Sequence, residues 1–212
     1  MLNNKLYISP NHELHECKDL LSNLTPTSSY ISWQTAIKIF EDRIQGRFFN
    51  IIDAMLEDCK GDQSLSKAFS IMALNCLLIE TFQQFYRGVR DTRGETEEAF
   101  KEFLVNSSYF NGAAGRFGNS FDEKLAKHFY KNVRCGILHQ AQTKKKTALT
   151  FFTANLVDNF SQRGWVLYDV HLFTKALKME YEEYLSRLKN KEEHGLRNNF
   201  CKKWSFILKD SE

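Results

Sequence analysis

The sequence predicts a mainly α-helical fold, a bundle of four to five helices with one small β-hairpin inserted near residues 148–168. Three observations lead there. Apolar side chains recur at spacings of three and four over long stretches between Ser32 and Leu188, which puts them on single helix faces. The stretch from Phe69 to Phe85 is apolar almost all round, the pattern of a central buried helix. The segment from Ala148 to Tyr168 changes to β-branched and aromatic residues separated by turn formers. With 212 residues, 42% hydrophobic and 14% aromatic, the chain is long enough to enclose a core. Residues 1–212 therefore read as a single domain with an irregular leader, 1–29, and a basic aromatic tail, 190–212.

The leader carries His12, Glu13, His15, Glu16 and Cys17. Two imidazoles and a thiol are zinc-type ligands, but a structural zinc site takes four and no matching Cys/His pair follows. A solvated helix start is the expectation, and no metal or cofactor is assigned. Pro26 to Ser29 break the chain. Ser32 can cap a long helix towards Asp58, with Trp33, Ile37, Phe40, Ile44, Phe48, Ile51 and Met55 on one face. Gly61 and Asp62 turn the chain, and a second long helix starts at Ser64 or Ser66 and ends near Gly88. Within it Glu80 interrupts the apolar run, and a carboxylate there needs a partner. Arg134 or His139 is one choice, and Arg87, Arg90 or simple exposure is the other. A short helix follows from Glu95 to Val105. The glycine-rich stretch NGAAGRFGNS lacks the terminal Gly-Lys-Ser/Thr of a P-loop. It reads as a connector from which Arg116 could touch RNA.

The next helix, Phe121 to Gln142, has Leu125, Phe129, Val133 and Ile137 four apart on one face. Asp122 and Glu123 near its start and Lys127, Lys131 and Arg134 later suit the helix dipole. Near its end stand Arg134 and His139, with four residues between them. Gly136 loosens the last turn. A guanidinium offers a fixed fork of donors that fits a phosphate. An imidazole exchanges a proton near neutral pH. Together they can cleave RNA without a metal: the imidazole assists attack by the ribose 2'-hydroxyl, and the guanidinium stabilises charge on the phosphate. On a straight helix the two positions are about 140° apart. Either the helix ends here, or a second copy of the chain completes the site.

The Arg-x4-His motif, set in FYKNVRCGILHQAQ at the end of an amphipathic helix, resembles the HEPN domain family (higher eukaryotes and prokaryotes nucleotide-binding). As helical architecture the resemblance covers about Ser32 to Leu188, and it is sharp at two residues. It implies a bundle of four or five helices that forms a homodimer. Arg134 and His139 of both copies would line one cleft that cuts RNA without metal. It also implies use as a toxin or in antiviral defence, which would bring an antitoxin or other partner protein. Active members usually place Asn, Asp or His after the arginine, where this chain has Cys135, a weak donor. Glu80, Asn132 and Cys135 are the supporting neighbours. The alternative is a non-catalytic module of the same shape that dimerises or binds nucleotide or RNA.

Beyond the motif come Lys144, Lys145 and Lys146, which could draw phosphates to a neighbouring cleft or form a solvated turn. The hairpin strands fall near Ala148–Phe152 and Trp165–Tyr168. A helix from Val170 to Lys189 carries Phe173, Leu177, Tyr181, Tyr184 and Leu188 inward. In the tail, Arg197, Phe200, Lys202, Lys203, Trp204 and Phe206 could stack single-stranded RNA, though packing against the bundle is the better reading. A net charge of +3 is too small to argue nucleic-acid binding by itself. Five scattered cysteines fit reduced thiols in a cytoplasm. The start has no apolar signal-peptide core, and the apolar run Ile71–Ile79 is too short to span a bilayer. A cytoplasmic protein with no membrane partner is expected.

Overall fold

Helices carry the architecture, and short strands occur at two places. The structure is a computed structural model that describes residues 5–59, 64–118, 120–160 and 164–211. In chain order it contains β1 (Tyr7–Ser9), β2 (His12–Glu13), α1 (Leu14–Ser22), α2 (Tyr30–Ile44), α3 (Asn50–Glu57), α4 (Ser64–Arg87) and α5 (Thr96–Asn106). Then follow α6 (Glu123–Phe129), α7 (Cys135–Gln140), β3 (Thr147–Thr150), β4 (Val157–Phe160), β5 (Trp165–Asp169), α8 (Val170–Lys189) and α9 (His194–Lys209). Five-residue π-helical turns, Gln45–Phe49 and Tyr130–Arg134, join α2 to α3 and α6 to α7. The chain divides into two compact units. The first holds the described residues up to Asp53, Gln84–Asp91 and those from Glu183 onward; the second holds Ala54–Gln83 and Thr92–Glu182.

In the first unit the described leader, from Lys5 on, carries the short elements β1, β2 and α1. β1 and β2 pair antiparallel, and Asp42 on α2 holds them. Its carboxylate accepts from Ser9 Oγ at 2.6 Å, from the main-chain and side-chain nitrogens of Asn11 at 2.8 and 2.7 Å, and from His12 Nδ1 at 3.1 Å. Burial works to raise the Asp42 pKa, but these hydrogen bonds prevail and hold it down at about 2. The cap of α2 is Ser29, not Ser32: Ser29 Oγ accepts the Ser32 N–H at 3.2 Å, because a cap receives from the third helical residue. The tail holds α9, on which Phe200 and Trp204 are core while Phe206 is half-buried. Phe200 and Trp204 are fully buried and pack with Phe40 and Phe85 at ring separations of 4.6–6.5 Å. Arg197 lies over the Trp33 ring at 4.4 Å and donates to the carbonyls of Pro26, Leu188 and Lys189. Lys203 donates to Gln84 and to the Arg90 carbonyl, both at 2.6 Å.

In the second unit Phe110, Phe121, Phe129, Phe173 and Tyr168 form one aromatic cluster with ring separations of 4.9–6.3 Å. The expected two-stranded hairpin is a three-stranded mixed sheet. β5 lies in the middle, parallel to β3 (Thr147 opposite Val166) and antiparallel to β4 (Val157 opposite Tyr168). The hairpin partner of β5 is thus VDNF, which lies between the two expected strands. The parallel pairing of β3 needs the longer connection that β4 occupies. α4 buries Ile71, Met72, Asn75, Cys76, Leu78, Ile79 and Phe82, and Asn75 Nδ2 donates to Thr174 Oγ1 at 2.8 Å. It is not covered all round, since Leu65 and Leu77 are exposed. By length and composition alone Leu65–Arg87 is also apolar enough to cross a membrane. The expected turn at Gly61–Asp62 lies outside the described residues.

Candidate functional site

Asp122 starts the motif helix by accepting the Leu125 N–H at 2.7 Å. Phe129 and Val133 anchor it in the core. The helix then widens: Tyr130–Arg134 is a π turn in which the Cys135 N–H reaches the Tyr130 carbonyl. Such single turns are often found at functional sites. The Asn132 carbonyl accepts the Lys144 N–H at 2.9 Å, so the chain beyond the helix folds back onto this turn. α7 ends at Ala141, whose φ of 53° is left-handed. Gly136 does more than loosen the last turn. A Cβ there would lie 2.5 Å from the Gln142 carbonyl oxygen and 3.2 Å from Thr143 Cα, so its missing side chain makes room for the returning chain.

Arg134, the last residue of the π turn, points to Glu80 on α4. Its Nη2 donates to Glu80 Oε2 at 3.0 Å, and Glu80 Oε1 accepts from Thr92 Oγ1 at 2.7 Å. The guanidinium lies 5.9 Å from the Phe100 ring centre and 5.6 Å from that of Tyr130, with its side chain 17% exposed. Burial works against its charge, but the hydrogen bond and charge of Glu80 more than offset this and raise its pKa. Cys135 follows Arg134 at the start of α7 and is half-buried. Burial, and then the neighbouring Cys135, raise the Tyr130 pKa. Cys76 lies beneath, buried, its thiol pKa pushed up by desolvation.

The structure therefore brings together Glu80, Arg134 and Cys135, with Asn132 buried one turn away. Glu80 takes Arg134 as its partner, the first of the two choices the sequence left open. His139 is exposed on α7 and has no hydrogen-bond or ion-pair partner among the described residues. Arg116 is exposed on the glycine-rich loop, with Nη1 3.9 Å from Met179 Sδ. The zinc-type residues of the leader go to different places: His12 to Asp42 and Ser9, His15 to Glu13, and Cys17 into the core.

Lys144, Lys145 and Lys146 line a cleft of about 330 Å³. Its other walls include Leu65 and Phe69 of α4 and Trp165 of β5. The loop is pinned. Thr143 Oγ1 donates to the Thr147 carbonyl at 2.6 Å, Thr147 Oγ1 to the Lys145 carbonyl at 3.1 Å, and the Val166 N–H to the Lys146 carbonyl at 3.0 Å. Lys145 and Lys146 both have φ of 46°, a left-handed conformation that non-glycine residues adopt only when the surroundings enforce it.

Sequence reading missed Tyr130, Thr92 and Phe100 around Arg134, and Phe69 and Trp165 in the cleft. Tyr130 alone had a signal, four residues before Arg134 on one helix. The rest come from segments far apart in sequence. No family model, curated protein or solved structure matches the chain.

Proposed function

We propose that the chain is a metal-independent endoribonuclease of the HEPN type that acts as a homodimer in the cytoplasm, in a toxin or antiviral role. The observation that carries this reading is the placement of the motif. Arg134 is held in one orientation by Glu80 while His139, five residues on, stands in solvent. A guanidinium has five N–H donors, and Glu80 Oε2 accepts from Nη2, so the group can be oriented and still meet a phosphate. His139 would take the proton of a ribose 2'-hydroxyl as the 2'-oxygen attacks phosphorus. The bond to the 5'-oxygen breaks, that oxygen gains a proton, and a 2',3'-cyclic phosphate remains. Arg134 would stabilise the charge that builds on the phosphate.

Exposed apolar residues support the dimer. α4 meets the motif helix at Glu80–Arg134 and meets the following loop at the cleft walled by Leu65 and Phe69. Leu77 and Leu138 fall in sequence between these meeting points, and both are exposed, by 44% and 54%. A second copy seated there would cover them and bring a second Arg134 and His139 close.

A second reading is a module that dimerises or holds RNA without cutting it. Its support is Cys135 after the arginine, a weak donor where active members of the family place Asn, Asp or His. An RNA cleavage assay in EDTA separates the two. The parent should cut RNA and spare DNA. His139→Ala should lose about 100- to 10,000-fold in rate, and Arg134→Ala a comparable factor. Because the two act on one reaction, the double variant should lose far less than the product of the single effects. Folded variants that cut as fast as the parent would remove the motif from the chemistry. A parent that cuts no RNA would leave the module.

A further inference from the structure

The cleft beside the motif has a composition that a solvated lysine turn does not explain. Three successive lysines line it, and among the described residues none of those lining it is acidic. Two of the lysines hold left-handed backbone, and side-chain and main-chain hydrogen bonds keep the loop in that shape. A freely solvated turn has no need of such strain, which tends to gather at ligand sites. The same cleft is lined by Phe69 and Trp165, the latter 40% exposed at the start of β5. An exposed indole beside ammonium groups carried on a pinned loop matches the chemistry of an unpaired nucleotide: a flat base with a phosphate on either side.

We infer that this cleft holds one unpaired nucleotide of a single strand, its base stacked on Trp165 against Phe69 and its phosphates on Lys144, Lys145 and Lys146. The inference rests on the RNA-cleaving reading for the choice of RNA as the strand. It adds a specificity: the chain selects single-stranded over duplex substrate, because a paired base cannot enter the cleft.

The fold supplies a direct reporter. The chain has three tryptophans, and Trp33 and Trp204 are buried, 1% and 0% exposed. A change in tryptophan emission on adding an oligonucleotide therefore reads Trp165. The parent protein is titrated at low salt with a single-stranded 2'-O-methyl RNA, which lacks the attacking hydroxyl and stays intact. A DNA strand of the same sequence and the corresponding duplex are titrated alongside. The single-stranded RNA analogue should quench the emission, and the duplex should not. Quenching by the DNA strand would show that the cleft reads base and phosphate without the ribose. In anisotropy measurements with a labelled strand, Trp165→Ala should weaken binding about 5- to 150-fold, the usual worth of one stacked base. Trp165→Phe keeps a ring and should bind nearly as the parent does while losing the emission change. Replacing the three lysines by glutamine should reduce the slope of log affinity against log salt by about 2, at roughly 0.7 per phosphate on a single strand.

No quenching by any single strand, equal quenching by duplex, or unchanged binding by a folded Trp165→Ala protein would overturn the inference. The outcomes also separate it from the nuclease. Binding in the cleft without any cleavage by the parent keeps the nucleotide site and removes the enzyme. Cleavage of RNA by the parent and the Trp165→Ala protein alike, with equal affinity, keeps the enzyme and removes the site.

Discussion

At the scale of residues, two histidines on the motif helix differ by their surroundings. His139 is exposed, whereas His128 is half-buried with Nδ1 3.0 Å from Tyr168 Oη. Burial lowers the His128 pKa below its ordinary 6.5, and the charge of Lys145 adds to this. The folded state thus takes up this proton less readily than the unfolded state. The sign of the stability effect follows: His128 has no effect well above pH 6.5, and stability falls as the pH drops from there through the depressed value. His128→Gln removes that titration. On acidification from about pH 7.5 to about pH 5.5 the parent's Tm should fall more steeply than the variant's. Parallel curves in thermal melts would show that His128 does not feel this environment.

At the scale of elements, the π turn and the glycine after it set where the site residues lie. The wide turn ends at Arg134, and the chain beyond α7 returns to the Asn132 carbonyl, passing over Gly136. Gly136→Ala would place a methyl group against main-chain atoms that cannot swing away. Overpacking of this kind typically costs about 1–3 kcal/mol. The expected outcome is a lower Tm together with displacement of residues 142–146, read as weaker binding of single strands by the lysine loop. If Gly136→Ala melts and binds as the parent does, the close approach is not tight. The sheet makes a similar point. β3 and β5 were legible from β-branched and aromatic residues, but their parallel pairing depends on β4 lying on the far side of β5.

At the scale of the whole molecule, the exposed apolar positions on α4 and α7 bear on assembly. Leu138→Asp puts a charge on the proposed contact, where desolvating it without a partner is unfavourable. The parent should scatter light as a dimer at micromolar concentration, and Leu138→Asp should weaken that dimer by about tenfold or more while keeping its helical circular dichroism. RNA cleavage should fall along with dimerisation if both copies build the cleft. A monomeric parent would count against a shared site.

The sequence by itself determined the helices and their inward faces. Spacing of three and four residues is a local property, and apolar periodicity reports which side of a helix is buried. The long α4 and α8, the short α5 and the burial of Phe129, Val133 and Phe173 were readable on that basis. Arg134 and His139 were singled out by side-chain chemistry and by the resemblance instead. Only the tertiary structure decided which partner Glu80 takes, that the tail's Phe200 and Trp204 are core, and that Lys144–Lys146 share a cleft with Trp165. These are contacts between residues distant in the chain: 54 positions separate Glu80 from Arg134. A single sequence carries no periodic trace of such pairings, because they are set by how finished helices pack and where a loop is pinned. The role of Gly136 belongs with them, since the chain it leaves room for returns only after the helix has ended.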